Sequence, residues 1–84
     1  MFVISAEQMR AARGLLDWSQ SKLAEAAGLS LPTIKRAERD LGAAVSGEAR
    51  AAMQAALEQA GVIFIEENGE GGGVRLRKSK KRGK

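Results

Sequence analysis

Lys22, Ser30, Leu31, Pro32, Thr33, Lys35, Arg36 and Arg39 crowd into one stretch of an 84-residue chain. Their chemistry is that of contact, not of bond making. A lysine ammonium can neutralise a phosphate, and an arginine fork can bond guanine O6 and N7 together. A leucine has only apolar surface to offer, such as contact with a thymine methyl. The chain has no cysteine and no histidine, which removes thiol nucleophiles, disulfides, Cys/His zinc sites and the usual general base at neutral pH. No catalytic residue, cofactor or metal is therefore expected. The remaining carboxylates and serines are accounted for as helix caps and helix surface.

The elements that must hold these side chains can be read from their neighbours. Ser19 and Ser30 are each placed to cap a helix, since a serine oxygen accepts the orphan N–H groups of a first turn. Each follows a large apolar residue able to staple onto one five positions later, Trp18 onto Leu23 and Leu29 onto Ile34. Gly28 lies between the two helices, where a left-handed backbone costs glycine little. The spacing predicts helices from about Gln20 to Ala27 and from about Leu31 to Arg39 or Asp40. Ala24 and Ile34 supply the small and apolar facing positions that a close crossing requires. On the later helix Ile34, Ala37 and Leu41 repeat on the inner face, leaving Leu31, Pro32, Thr33, Lys35, Arg36 and Arg39 outward or at the rim.

The set Gln20, Leu23, Ala24, Gly28, Ser30, Ile34 and Glu38 resembles the lambda-repressor-like helix-turn-helix family, also called Xre/Cro. The resemblance is strong over the motif, extends over roughly residues 5–60 as helix count and order, and leaves out the C-terminal segment. It implies a mainly α fold of four to five helices, and a DNA-binding transcriptional regulator. In that docking mode the second helix of the motif lies in the major groove with its N-terminal residues at the base edges. Arg36 is then the leading base reader, and Lys35 and Arg39 fit phosphates, which position a protein without reading sequence. Gln20, by resemblance, touches a phosphate or supports a base contact. Lys22 could neutralise a phosphate or be plain surface. Leu31 meets a thymine methyl or packs on the neighbouring helix, Thr33 touches DNA or bonds backbone, and Ser30 caps and can also donate to a phosphate. Pro32 departs from the polar residue that many family members show nearby, and its missing N–H removes a donor. Arg13 and Glu38 match positions at which the family forms an internal ion pair, a structural role.

Around the motif, Ser5 to Gln8 form a capping box with Ile4 able to staple onto Met9, opening a helix whose buried face is Met9, Ala12 and Leu16 and which Asp17 ends. Gly42 breaks the pattern after the third helix. Ser46 opens an alanine-rich helix to about Ala60, with Ala49, Met53, Ala56, Leu57 and Ala60 as its apolar stripe. Val62–Ile65 reads as a strand with both faces covered or one face awaiting a partner, and 74–77 as a second strand. The loop between them holds Asn68-Gly69 and three consecutive glycines, which lack the Lys-Ser/Thr of a phosphate loop. Residues 1–61 are thus expected to form the DNA-binding domain, 62–77 a β-hairpin, and 78–84 a disordered basic tail.

Charge is distributed unevenly. The net charge is +4 with a pI near 10.0, but residues 75–84 carry +7 and residues 1–74 carry −3. Bulk charge therefore does not argue for nucleic acid; the placement of Lys22, Lys35, Arg36 and Arg39 does. The tail could follow the DNA backbone or merely solubilise. So small a chain is near the lower limit for a self-sufficient core, and a lone two-stranded hairpin is marginal in water. A homodimer joined through the C-terminal strands is expected, reading double-stranded DNA as a repressor. A protein-binding adaptor, antiactivator or antitoxin on the same helical fold is the alternative. No apolar run suits a membrane span, and MFVIS is too short for a signal peptide, so a cytoplasmic, nucleoid-associated protein is expected.

Overall fold

A computed structural model of the chain describes residues 4–39, 45–66 and 68–77. Four helices, α1 (Ala6–Leu16), α2 (Gln20–Ala27), α3 (Leu31–Arg39) and α4 (Gly47–Gln59), precede an antiparallel hairpin of β1 (Val62–Ile65) and β2 (Gly73–Leu76). The mainly helical architecture with a C-terminal hairpin agrees with the sequence reading. Asp40, Leu41 and Gly42, the proposed inner-face leucine and breaker among them, lie outside the described residues, as does the basic tail.

Side-chain caps define where the helices begin. Ser5 Oγ accepts from Gln8 N (3.0 Å) while Gln8 Oε1 accepts from Ser5 N (2.9 Å), the reciprocal capping box. Ser19, Ser30 and Ser46 accept from Lys22 N (3.0 Å), Thr33 N (3.2 Å) and Ala49 N (3.0 Å). Each bond satisfies one of the donors a helix start leaves without an intrahelical partner. Asp17 ends α1 in the left-handed region at φ 59°, a conformation Asp tolerates better than most residues. Gly28 ends α2 at φ 71°, and Leu29 N donates back to Ala24 O (3.0 Å), closing the tight turn into α3.

The core is one cluster. Met9 and Ala12 of α1, Leu23 and Ala24 of α2, Ile34 and Ala37 of α3, Met53, Ala56 and Leu57 of α4, and Val62 and Phe64 of β1 are all buried together. Trp18 and Leu29, the residues placed to staple α2 and α3, are half-buried against it. Two stripe positions differ from expectation. Leu16 is half-buried because α1 is already ending there, and Ala60 is half-buried because it caps α4 instead of continuing it.

β2 starts one residue earlier than its alternation suggests. Gly73 pairs with Ile65, and Gln8 Nε2 donates to both Ile65 O (3.1 Å) and Gly73 O (3.0 Å), clamping that end of the hairpin onto α1. The side chain is 8% exposed with both its ends bonded, so a groove of about 190 Å³ beside it, lined by Ser5, Glu7, Ala11 and Val74, offers no unpartnered buried polar group to a ligand. Along β1 burial falls toward the loop, from Val62 at 1% exposed to Ile65 at 41%.

Gly72 marks how closely the hairpin approaches α1. A Cβ there would stand 2.8 Å from Gln8 Nε2 and 2.9 Å from its Cδ. The obstacle is a flexible side chain, but moving it breaks the clamp and strands two carbonyls. Gly72→Ala is expected to cost about 0.5–1.5 kcal/mol, the net worth of an ordinary hydrogen bond, since Ile65 is 41% exposed and Gly73 half-buried and their carbonyls can regain water. A urea midpoint equal to wild type would show that Gln8 does not hold the hairpin.

Candidate nucleic-acid interface

α3 presents two unlike faces. Ile34 and Ala37 are fully buried and Glu38 is 3% exposed, while Pro32, Lys35, Arg36 and Arg39, at helical spacing, are exposed on the opposite side. Among the described residues the side chains of Lys35, Arg36 and Arg39 make no hydrogen bond or ion pair. Three cations therefore stand on one helical stripe with their donors unspent.

The rim residues are more committed. Leu31 and Thr33 are half-buried, and Thr33 Oγ1 lies 2.8 Å from Ser30 Oγ. The hydroxyl pair thus satisfies itself at the start of α3, while Ser30 remains exposed. Lys22, also exposed, carries its ammonium 5.6 Å from the centroid of the Trp18 ring. Such a contact at an exposed site is worth about 0.5–1 kcal/mol, little enough for a phosphate to compete with.

Gln20 is the residue whose surroundings the motif did not disclose. It is half-buried, and its Nε2 donates to Glu38 Oε1 (3.1 Å). Glu38 also accepts from Arg13 Nε (2.8 Å) and Nη2 (2.9 Å), and Arg13 Nη1 donates to Trp18 O (2.9 Å). One carboxylate so joins α1, α2 and α3. The bond from Glu38 holds the Arg13 guanidinium above its ordinary pKa, with burial opposing and the Coulomb attraction of Glu38 adding. Arg10 Nη1 donates to Glu38 O, placing a second α1 cation on a backbone carbonyl of α3's last turn, where a helix favours positive charge.

Sequence reasoning missed Arg10 and the clamp made by Gln8. Neither has a local signal, because their partners lie 28, 57 and 65 residues away. Among the described residues no group of His, Cys, Asp or Glu could hold a metal ion, and no helix is long and apolar enough to cross a membrane.

A family model described as helix-turn-helix matches residues 9–51, from within α1 through α2, the turn at Gly28 and α3 to the start of α4. A search of curated proteins finds no match.

Proposed function

The chain belongs to the lambda-repressor-like helix-turn-helix family, Xre/Cro type, whose members are DNA-binding regulators, and we propose that it is a sequence-specific repressor reading the major groove with α3. The observation that carries this reading is the exposed stripe of Lys35, Arg36 and Arg39 on a helix whose other face is locked into the core. A rigid helix with unspent cations suits a groove that admits an α-helix. Its mechanism is occupancy: two copies place their α3 helices in successive major grooves of a palindromic site and exclude polymerase.

Within this reading the side chains divide by chemistry. Arg36 reads guanine through its two-pronged donor. Lys35, Arg39 and Lys22 neutralise phosphates and set register. Leu31 and Pro32 give an apolar leading edge for a thymine methyl. Ser30 and Thr33, already paired with each other, offer at most a remaining lone pair or proton, and Gln20, its Nε2 spent on Glu38, stands at the α2 start, where backbone N–H groups favour an anion.

Footprinting the full chain on the DNA upstream of its own coding sequence tests the reading. Arg36→Ala is expected to weaken the specific site by about 1–3 kcal/mol, roughly five- to 150-fold, and to relax discrimination at one base pair. Arg39→Ala is expected to weaken all duplexes alike and to lower the salt slope by about one. If the variant carrying both Arg36→Ala and Arg39→Ala keeps its fold and its biological activity while neither it nor wild type protects any DNA, the surface serves a protein partner instead.

A further inference from the structure

The start and middle of α3 are fixed by its own residues, but its last turn is fixed by another helix. Ser30 caps the start, accepting from Thr33 N, and Ile34 and Ala37 bury the middle. At the far end the last carbonyls have no N–H of the helix to pair with, and Glu38 O takes its donor from Arg10 Nη1 of α1. Among the described residues this is the one bond from a side chain of another helix to the main chain of α3. Arg13 and Gln20 also grip Glu38, yet they hold its carboxylate, the tip of a side chain whose torsions let the backbone shift behind it. A bond to the carbonyl acts on the backbone itself.

Arg36 and Arg39 belong to that same last turn. Resting on the reading that α3 enters the major groove, we infer that Arg10 is a positioning residue, which pins the end of α3 to α1 and so fixes where Arg36 and Arg39 stand against DNA. It acts through the backbone of α3 and not by touching a base. Small distances decide specificity, because a binding constellation must be held to within about 0.5 Å of its productive geometry. A two-pronged arginine–guanine contact is lost on tilting sooner than a phosphate contact, which is mainly charge on charge. Arg10 lies one turn before Arg13 on α1, so both cations rise from one helix face to the same residue of α3. A cation suits that place, since partial negative charge gathers at a helix C-terminus. Arg10 is also exposed, so the carbonyl can regain water once the guanidinium is removed. The restraint is lost and the fold is kept.

The full chain tests this with two duplexes, the DNA upstream of its own coding sequence and a scrambled sequence of equal length. Arg10→Ala is expected to keep the wild-type melting midpoint and to weaken the upstream duplex roughly two- to thirtyfold, the span for a residue that acts on a site without touching its ligand. Binding to the scrambled duplex and the salt slope should stay as in wild type. Arg10→Lys, which keeps a cationic donor, should recover part of the loss. In the protein without DNA, amide hydrogen exchange from Arg36 to Arg39 should quicken in Arg10→Ala while α4 exchanges as before. Both duplexes weakened alike, with the slope lowered by about one, would make Arg10 a phosphate contact and overturn the inference. A lowered midpoint with exchange raised throughout overturns it too, since Arg10 is then an ordinary stabilising residue. A wild type that binds neither duplex ends the DNA reading instead. The exchange comparison needs no DNA, and unchanged exchange at the end of α3 overturns the inference in either case.

Discussion

Replacing Glu38 with alanine is expected to remove about 3 kcal/mol of folding stability, the low end of what breaking one side of a buried ion pair costs. The carboxylate is 3% exposed and serves Arg13 twice and Gln20 once. Its loss strands a guanidinium and an amide between α1, α2 and α3. The figure belongs at the low end because the Arg13 side chain is 22% exposed and can regain some water. For a domain whose total is about 5–15 kcal/mol, such a loss is large. Glu38→Gln, which keeps an acceptor but not the charge, is expected to cost less. Urea unfolding followed by circular dichroism measures both, and a change within about 0.5 kcal/mol, the range of an ordinary surface site, would show the network to be idle.

The pH dependence of that pair has a definite sign. A raised folded-state pKa means that the contribution of Arg13 is fully present below arginine's ordinary value and is lost only as pH climbs through the higher folded one. Arg13 therefore contributes no pH dependence across the neutral range, and any seen there has another source.

What could be read from the sequence follows from how local each signal is. Ser5, Ser19, Ser30 and Ser46 announce helix starts because a cap bonds a donor three residues on, and each of these bonds is present. Gly28 announces the turn because a left-handed residue must end α2 there. The inner face of α3 follows from the helical period alone. Gln8 was legible only in part: its bond to Ser5 is local, while its grip on Ile65 and Gly73 depends on the whole chain returning to α1. The start of β2 was misplaced by one residue for that reason, since Gly73 has no side chain to signal its pairing. Gln20 shows the same limit from another side. The motif marks it as a DNA contact, yet one of its two amide functions is spent inside the protein.

The division of α3 into a structural and a reading face makes the second large expectation. Ile34→Ala is expected to cost about 2–5 kcal/mol, because Ile34 is fully buried in the cluster joining α2, α3 and α4 and a vacated core site relaxes only in part. Arg36→Ala, two residues on and exposed, is expected to leave the unfolding midpoint within about 0.5 kcal/mol of wild type. DNA binding should invert that order. Below its lowered melting temperature the Ile34 variant still displays Arg36, Lys35 and Arg39, so its footprint should keep the wild-type base preference at a reduced active fraction. The Arg36 variant should be fully folded with its preference altered. If the Arg36 variant proves the less stable, or the Ile34 variant the one whose preference changes, the two faces have been assigned the wrong way round.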